Sequence, residues 1–274
     1  RWLESVELAA SIPDEDLVRL STLRGQPITS FSDIPYTPFR PTWLALDLRR
    51  VEGQITPEFL RVSSLQRREL DAVLVMDGPG TGEAIRFRNH FLRYDYEVAG
   101  SACIDYLEKR GDVDAKKIGI VAISLGGYYS PRCAAMDPRY KACIAWGAIW
   151  DYHQTWVKRL EKIKEAALPV PADHLLWACG VKTYDEALVK LDGFRLEGIA
   201  QKVQCPFLLM HGEKDAQVSV PEAEMLMQKI GSKDKTLRIF TEAEGGAQHC
   251  QRDYLTLACD VAGDWLEEKL KWRK

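Results

Sequence analysis

The pattern of apolar and polar positions changes character along the chain. Trp2, Leu3, Val6, Leu8 and Ala9 recur at helical spacing, and D-E-D-L-V-R-L (14–20) begins a second helix after Pro13. Residues 33–42 hold Pro35, Pro38 and Pro41, so an extended linker closes an N-terminal helical segment, 1–42. L-A-L-D-L-R-R-V (44–51) alternates weakly and has strand character. From residue 71 the rhythm becomes regular. A-V-L-V-M (72–76), K-I-G-I-V-A-I (117–123), A-C-I-A-W-G-A-I-W (142–150), P-F-L-L-M-H-G (206–212) and T-L-R-I-F (236–240) read as strands. Between and after them, 94–110, 125–136, 220–230 and 254–270 read as helices.

Strands that are apolar throughout, alternating with helices, predict an α/β fold with a doubly wound, mostly parallel sheet covered on both faces. The stretch 151–202 carries helical patterns and no strand, which predicts a helical cap inserted into a core of 43–150 and 203–274. Such a cap lies over the C-terminal edge of the sheet, where open α/β sheets bind ligands.

At that edge three residues fall in a chemically meaningful order. V-A-I-S-L-G-G (121–127) sits where a strand turns into a helix, the context of a nucleophile elbow of the G-x-S-x-G type, with Ala122 in the first small position. Ser124 is the candidate nucleophile, and the Leu125 N–H the candidate oxyanion donor at the start of the following helix. Asp215, in H-G-E-K-D (211–215), follows the strand 206–210. His249, in E-G-G-A-Q-H-C (244–250), follows the last strand. A surface Asp or a loop His means little alone, but Ser, Asp and His in that order at three strand ends predict a catalytic triad. Glu213 is the competing acid. His211 is expected to pack in its turn, and His90, His153 and His174 lack an elbow-like partner. D-G-P-G-T-G-E (77–83) lacks the spacing and the Lys of a phosphate loop, and reads as a turn near the pocket. Trp146, Trp150, Tyr152, His153 and Trp156 gather at the cap entrance, suited to an aromatic substrate or to a packed cap core. Tyr128, Trp150 and His153 are the candidate substrate-binding residues.

Composition narrows the function classes. A net charge of -3 and a pI near 6.0 leave no electrostatic footprint for nucleic acid or an anionic membrane. No run approaches the roughly 18 apolar residues of a membrane span. The seven cysteines form no C-x-x-C pair, which predicts reduced thiols in a cytoplasmic protein and no metal site. A small-molecule substrate, no cofactor and a homodimer are the corresponding expectations. A chain beginning with Arg is expected to be part of a longer translated protein.

Together, V-M-D-G-P-G-T-G-E, S-L-G-G-Y-Y, A-C-I-A-W-G-A, C-P-F-L-L-M-H-G-E-K-D and E-G-G-A-Q-H-C resemble one branch of the α/β-hydrolases. It is the branch around 2,6-dihydroxypseudooxynicotine hydrolase, the fungal polyketide-shortening hydrolases and the FrsA-like esterases. The likeness covers residues 71 to 270, and Ser124, Asp215 and His249 fall on that family's triad positions. It implies a helical N-terminal element and a helical cap shaping the pocket. The implied activity is cofactor-free serine hydrolysis of an ester or similar acyl bond through an acyl-enzyme, or of a carbon–carbon bond next to a ketone. A non-catalytic binding protein on the same fold is the alternative from another class; acyl transfer to an acceptor other than water uses the same residues. One departure stands out: such enzymes carry two further strands and a Gly-rich oxyanion loop before the strand at 72–76. No G-G or H-G pair lies between Trp43 and Leu70, and L-Q-R-R-E-L-D-A-V (65–73) passes from helix to strand without a turn. Chain segments are therefore expected to be absent around residues 62–72. Loss of one oxyanion donor is worth roughly 10²–10³ in rate.

Overall fold

Apolar residues with no polar alternation are stable as strands only where both faces are covered, and the computed structural model places four of the expected strands accordingly. It describes residues 74–111, 113–165 and 172–270. The chain divides into two units, Arg1–Met76 and Asp77–Lys274, and the elements named below belong to the second. The expected helical segment 1–42, the strand character of 44–51 and the break at 62–72 lie outside the described residues.

Strands β1 (Gly119–Ile123), β2 (Ala142–Trp146), β3 (Phe207–Gly212) and β4 (Lys235–Phe240) form one parallel sheet in that order. Helices α1 (Gly82–Arg88) and α2 (Glu97–Leu107) precede β1, and α3 (Gly126–Met136) joins β1 to β2. Between β2 and β3 lie α4 (Tyr152–Glu165), α5 (Asp173–Cys179) and α6 (Tyr184–Leu191); α7 (Val220–Lys229) joins β3 to β4, and α8 (Leu255–Leu270) closes the unit. Ile123 pairs with Trp146, Trp146 with Met210, and Gly212 with Phe240. In that register β3 and β4 run two residues past the ends of β1 and β2, and the loops after β1, β3 and β4 open along the C-terminal edge. This is the α/β-hydrolase arrangement, a mostly parallel sheet with helices packed on it.

The strand expected at 72–76 is corrected over its described part: residues 74–78 have no regular structure and pair with no strand among the described residues. An apolar run becomes a strand only where a neighbour takes its backbone hydrogen bonds. β1 is an outer strand of the described sheet. It is half-buried along its whole length, whereas β2 and β3 are buried throughout. The strand expected over 142–150 stops at Trp146, because Gly147 turns to a positive φ of 105°.

The insertion 151–202 is helical, and its one strand-like contact among the described residues is an isolated bridge between Asp151 and Arg195. Thr183 starts α6 with a capping box: its hydroxyl accepts from the Glu186 N–H at 3.2 Å while the Glu186 carboxylate accepts from the Thr183 N–H at 3.2 Å. α5 ends on Gly180 in the left-handed conformation. Beneath, Arg132 of α3 makes two hydrogen bonds to the Glu97 carboxylate of α2, at 2.5 and 2.8 Å, and donates to the Tyr128 hydroxyl at 3.0 Å. With side chains only 7% and 15% exposed, this pair locks α2 to α3, and removing either partner would leave a buried charge. Among the described residues no helix is long and apolar enough to cross a membrane.

Two glycines at the start of α3 set its approach to the sheet. A Cβ on Gly126 would lie 2.5 Å from the Ala122 Cβ, and one on Gly127 would lie 1.8 Å from the Gly147 carbonyl oxygen. The second obstacle is backbone, which cannot swing away. Gly127→Ala is therefore expected to cost about 3 kcal/mol, the upper end of overpacking penalties. At roughly 2–4 °C per kcal/mol for a domain of this size, thermal denaturation should show a Tm lower by about 10 °C. A melting curve superimposable on that of the wild type would contradict the account.

Candidate active site

Ser124 follows β1 directly, and its N–H donates to the Trp146 carbonyl at 2.8 Å. It holds φ at 62°, left-handed and strained for a residue with a Cβ. The turn is kept by the Gly127 N–H donating back to the Ser124 carbonyl at 2.8 Å. Leu125 begins the helical conformation, and its N–H has no hydrogen-bond acceptor among the described residues. That free donor lies beside Ser124 in the wall of a cavity.

The loop after β3 carries Asp215. Its Oδ1 accepts from the N–H groups of Gln217 at 2.8 Å and Val218 at 3.1 Å, and its Oδ2 accepts from His249 Nδ1–H at 2.7 Å. The carboxylate is 1% exposed and all its work is directed. Burial pushes its pKa up, but the bonds from His249 and Gln217 win and hold it below the usual carboxylate value. Glu213 turns the other way, accepting from the Glu242 N–H at 3.0 Å, so Asp215 and not Glu213 meets the histidine.

His249 stands in the loop between β4 and α8. Asp253 ties that loop by accepting from the Gly246 N–H at 3.0 Å and the Gln248 N–H at 3.1 Å. Cys250 and Gln251 then take φ values of 53° and 51°, left-handed conformations that nothing in the sequence announces and that cost roughly 1–3 kcal/mol each. The result points His249 Nε2 at Ser124 Oγ, 2.9 Å away. Burial disfavours the His249 cation, yet the hydrogen bonds and charges of Asp215 and Cys250 together outweigh it and raise the pKa to about 9. With Nδ1–H given to Asp215, Nε2 of the neutral ring is the lone pair facing the hydroxyl. The arrangement can take a proton from Ser124 and hold the resulting cation against a buried carboxylate.

The cavity has a volume of about 220 Å³. Ser124, Leu125 and His249 share its lining with Ile149, Gln217, Val218 and residues of the helical insertion: Tyr152, Thr155, Trp156, Arg159 and His174. None of the three expected substrate-binding residues lines it. Tyr128 has no exposed surface; its hydroxyl donates to the Tyr94 carbonyl at 2.7 Å and accepts from Arg132, a structural duty on the inner face of α3. Trp150 lies before α4, and His153 follows Tyr152 within it; a helix turns adjacent residues about 100° apart, and Tyr152 takes the cavity face. Tyr152, Trp156 and Arg159 share that face, and their i, i+4, i+7 spacing is the sequence signal that marks it.

His211 is fully buried and shares a hydrogen bond with the Val218 carbonyl at 3.1 Å, packing in its turn as the sequence suggested. The turn 77–83 does not contribute to the cavity lining. Among the described residues no group of three His, Cys, Asp or Glu side chains is placed to hold a metal ion.

Residues 75–272 match the model of the prolyl oligopeptidase family. Among individual proteins, the chain is similar to 2,6-dihydropseudooxynicotine hydrolase of Paenarthrobacter nicotinovorans, with 26% identity over 200 residues, 73% of this chain and 50% of that one. It is also 28% identical over 230 residues to 20-hydroxy-prefusarin hydrolase FUS2 of Gibberella moniliformis, 72% of this chain and 54% of the relative. The crystal structure of the 2,6-dihydroxy-pseudo-oxynicotine hydrolase superposes with a TM-score of 0.63 at 27% identity, over 75% of this chain and 55% of that one. Est1E from Butyrivibrio proteoclasticus, solved with ferulic acid, gives 0.54 at 18% identity over 77% and 83%, a likeness of fold alone. The chain spans about half the length of the curated relatives it matches. With the family model covering most of the chain and its sheet, helices and strand-end loops in the matching order, the chain belongs to the prolyl oligopeptidase family of α/β-hydrolases.

Proposed function

We propose that this chain is a cofactor-independent serine hydrolase that cleaves an ester or similar acyl bond of a small substrate. The observation that carries the reading is the unbroken relay from Ser124 Oγ through His249 to Asp215, at 2.9 and 2.7 Å, beside a free Leu125 N–H. Ser124 attacks the carbonyl carbon as His249 Nε2 takes the hydroxyl proton. The Leu125 N–H stabilises the oxyanion, and His249 returns the proton to the leaving oxygen. Water, activated by the same imidazole, then releases the acid from the acyl-enzyme. The helices of 151–202 act as the cap that limits substrate size. A second reading, hydrolysis of a carbon–carbon bond next to a ketone, has the same first step, with His249 protonating the departing carbanion. The Tyr152 and Trp156 side chains in the cavity wall favour it, because they suit a substrate whose leaving group is an aromatic ring or enol able to accept the carbanion's charge.

A fluorophosphonate probe should label the wild type and leave Ser124→Ala unlabelled. A folded wild type that stays unlabelled would favour the non-catalytic reading. Aryl esters tested beside aryl β-diketones distinguish the two hydrolytic readings by which class is turned over. Replacing the base, His249→Ala, is expected to lower kcat by several orders of magnitude; near-normal turnover would discredit the role given to it.

The pH dependence follows from the raised His249 pKa. A general base must be neutral, so kcat/KM falls as pH drops through the free enzyme's His249 value. The acid limb is therefore expected towards pH 9 rather than at the ordinary histidine value. A limb centred at or below about 6.5 would show that Asp215 does not stabilise the cation as described.

A further inference from the structure

The cavity wall formed by α4 has an unusual donor balance. Tyr152, Trp156 and Arg159 lie one helical turn apart on a single face. Arg159 is the one Lys or Arg in the cavity lining, and no Asp or Glu lines it. Among the described residues its guanidinium has no carboxylate partner; its hydrogen bond goes to a neutral acceptor, Gln217 Oε1, at 2.8 Å. One of five N–H donors is thereby used. The group lies over the Trp156 ring at 4.8 Å from the centroid, which restrains it without neutralising it. Trp156 is 1% exposed, and its indole N–H is buried against the Tyr152 hydroxyl. His174, 5.4 Å from the Trp156 ring, lies on the same wall, and burial followed by the Arg159 charge pushes its pKa down.

We propose that this wall is a carboxylate subsite, in which the Arg159 guanidinium recognises an anionic carboxylate on the substrate. The inference rests on the hydrolase reading only in calling the ligand a substrate; the binding site stands on its own donors. A planar guanidinium fork matches a carboxylate with two hydrogen bonds, which a neutral amide cannot equal. Size narrows the class further. A dry cavity of about 150 Å³ accepts benzene, so 220 Å³ takes one ring with a short substituent. Small aryl esters carrying a carboxylate on the ring fit both the volume and the donors.

The test compares 4-acetoxybenzoate with 4-acetoxybenzamide, equal in shape and different in charge, on the full 274-residue chain. Arg159→Gln is expected to lower kcat/KM for the carboxylate ester, relative to the amide, by about ten- to a hundredfold, chiefly through KM, as for loss of a hydrogen bond to a charged group. Arg159→Lys, which keeps the charge without the fork, should recover part of that ratio. A ratio unchanged by Arg159→Gln overturns the subsite, even if both esters are hydrolysed. Calorimetric titration of Ser124→Ala with 4-hydroxybenzoate and 4-hydroxybenzamide separates the two readings. If the wild type cleaves neither ester but the acid binds preferentially and only with Arg159 present, the hydrolase reading falls and the subsite stands. Failure of 4-hydroxybenzoate to bind, or equal binding of acid and amide, overturns the subsite.

Discussion

The contact between the start of α3 and the end of β2 is the constraint on which the site depends. Gly127 lies so close to the Gly147 carbonyl that no side chain fits between them, and Gly126 faces Ala122 in the same way. Only with both backbones that near can the chain leave β1, place Ser124 at a positive φ and enter a helix within two residues. The strain at Ser124 is therefore held by the packing of α3 on β1 and β2, not by the serine's own bonds. Its hydroxyl is presented outward, and the Leu125 N–H is left without an intramolecular acceptor. A cavity-facing hydroxyl and an unoccupied N–H donor thus come from one turn.

The parallel register carries the rest. Because the four strands run parallel in one sheet, loops distant in the chain meet at one edge, and residues 124, 215 and 249 come within two hydrogen bonds of one another. The two outer members of the relay are treated differently. Asp215 is buried and its oxygens are used by three donors, so it stays charged and fixed. Ser124 faces the cavity. His249 between them bridges a dry, charged interior and the open volume, and its raised pKa is the electrostatic record of that position. The helical insertion closes the volume with side chains of a different kind, rich in hydrogen-bond donors and poor in acceptors.

The pattern of residues determined much of this unaided. Three continuous apolar runs, those of β1, β2 and β3, suit strands of a covered parallel sheet, and the strand ends decided where Ser124, Asp215 and His249 would meet. Those roles were legible because each sits at a junction with strong local signals: small residues around Ser124, a polar turn after β3, and a glycine-rich loop before His249. The sequence already favoured Asp215 over Glu213; what the fold adds is the pair of backbone bonds from Gln217 and Val218 that fix the Asp215 carboxylate against His249.

What tertiary structure alone decided is the cavity. Tyr128 is aromatic, polar-tipped and four residues from Ser124, yet its hydroxyl is engaged by the Tyr94 carbonyl, 34 residues away, and by Arg132, which Glu97 of α2 holds in turn. His153 lost the cavity to Tyr152 because helix phase depends on where α4 starts, at Tyr152. The apolar run at 72–76 has no regular structure over its described part, since a strand needs a partner that its own residues cannot specify. Periodicity and turn chemistry are local and can be read from a chain; which side chain faces a cavity, and which hydroxyl is already engaged, depends on partners that only packing supplies.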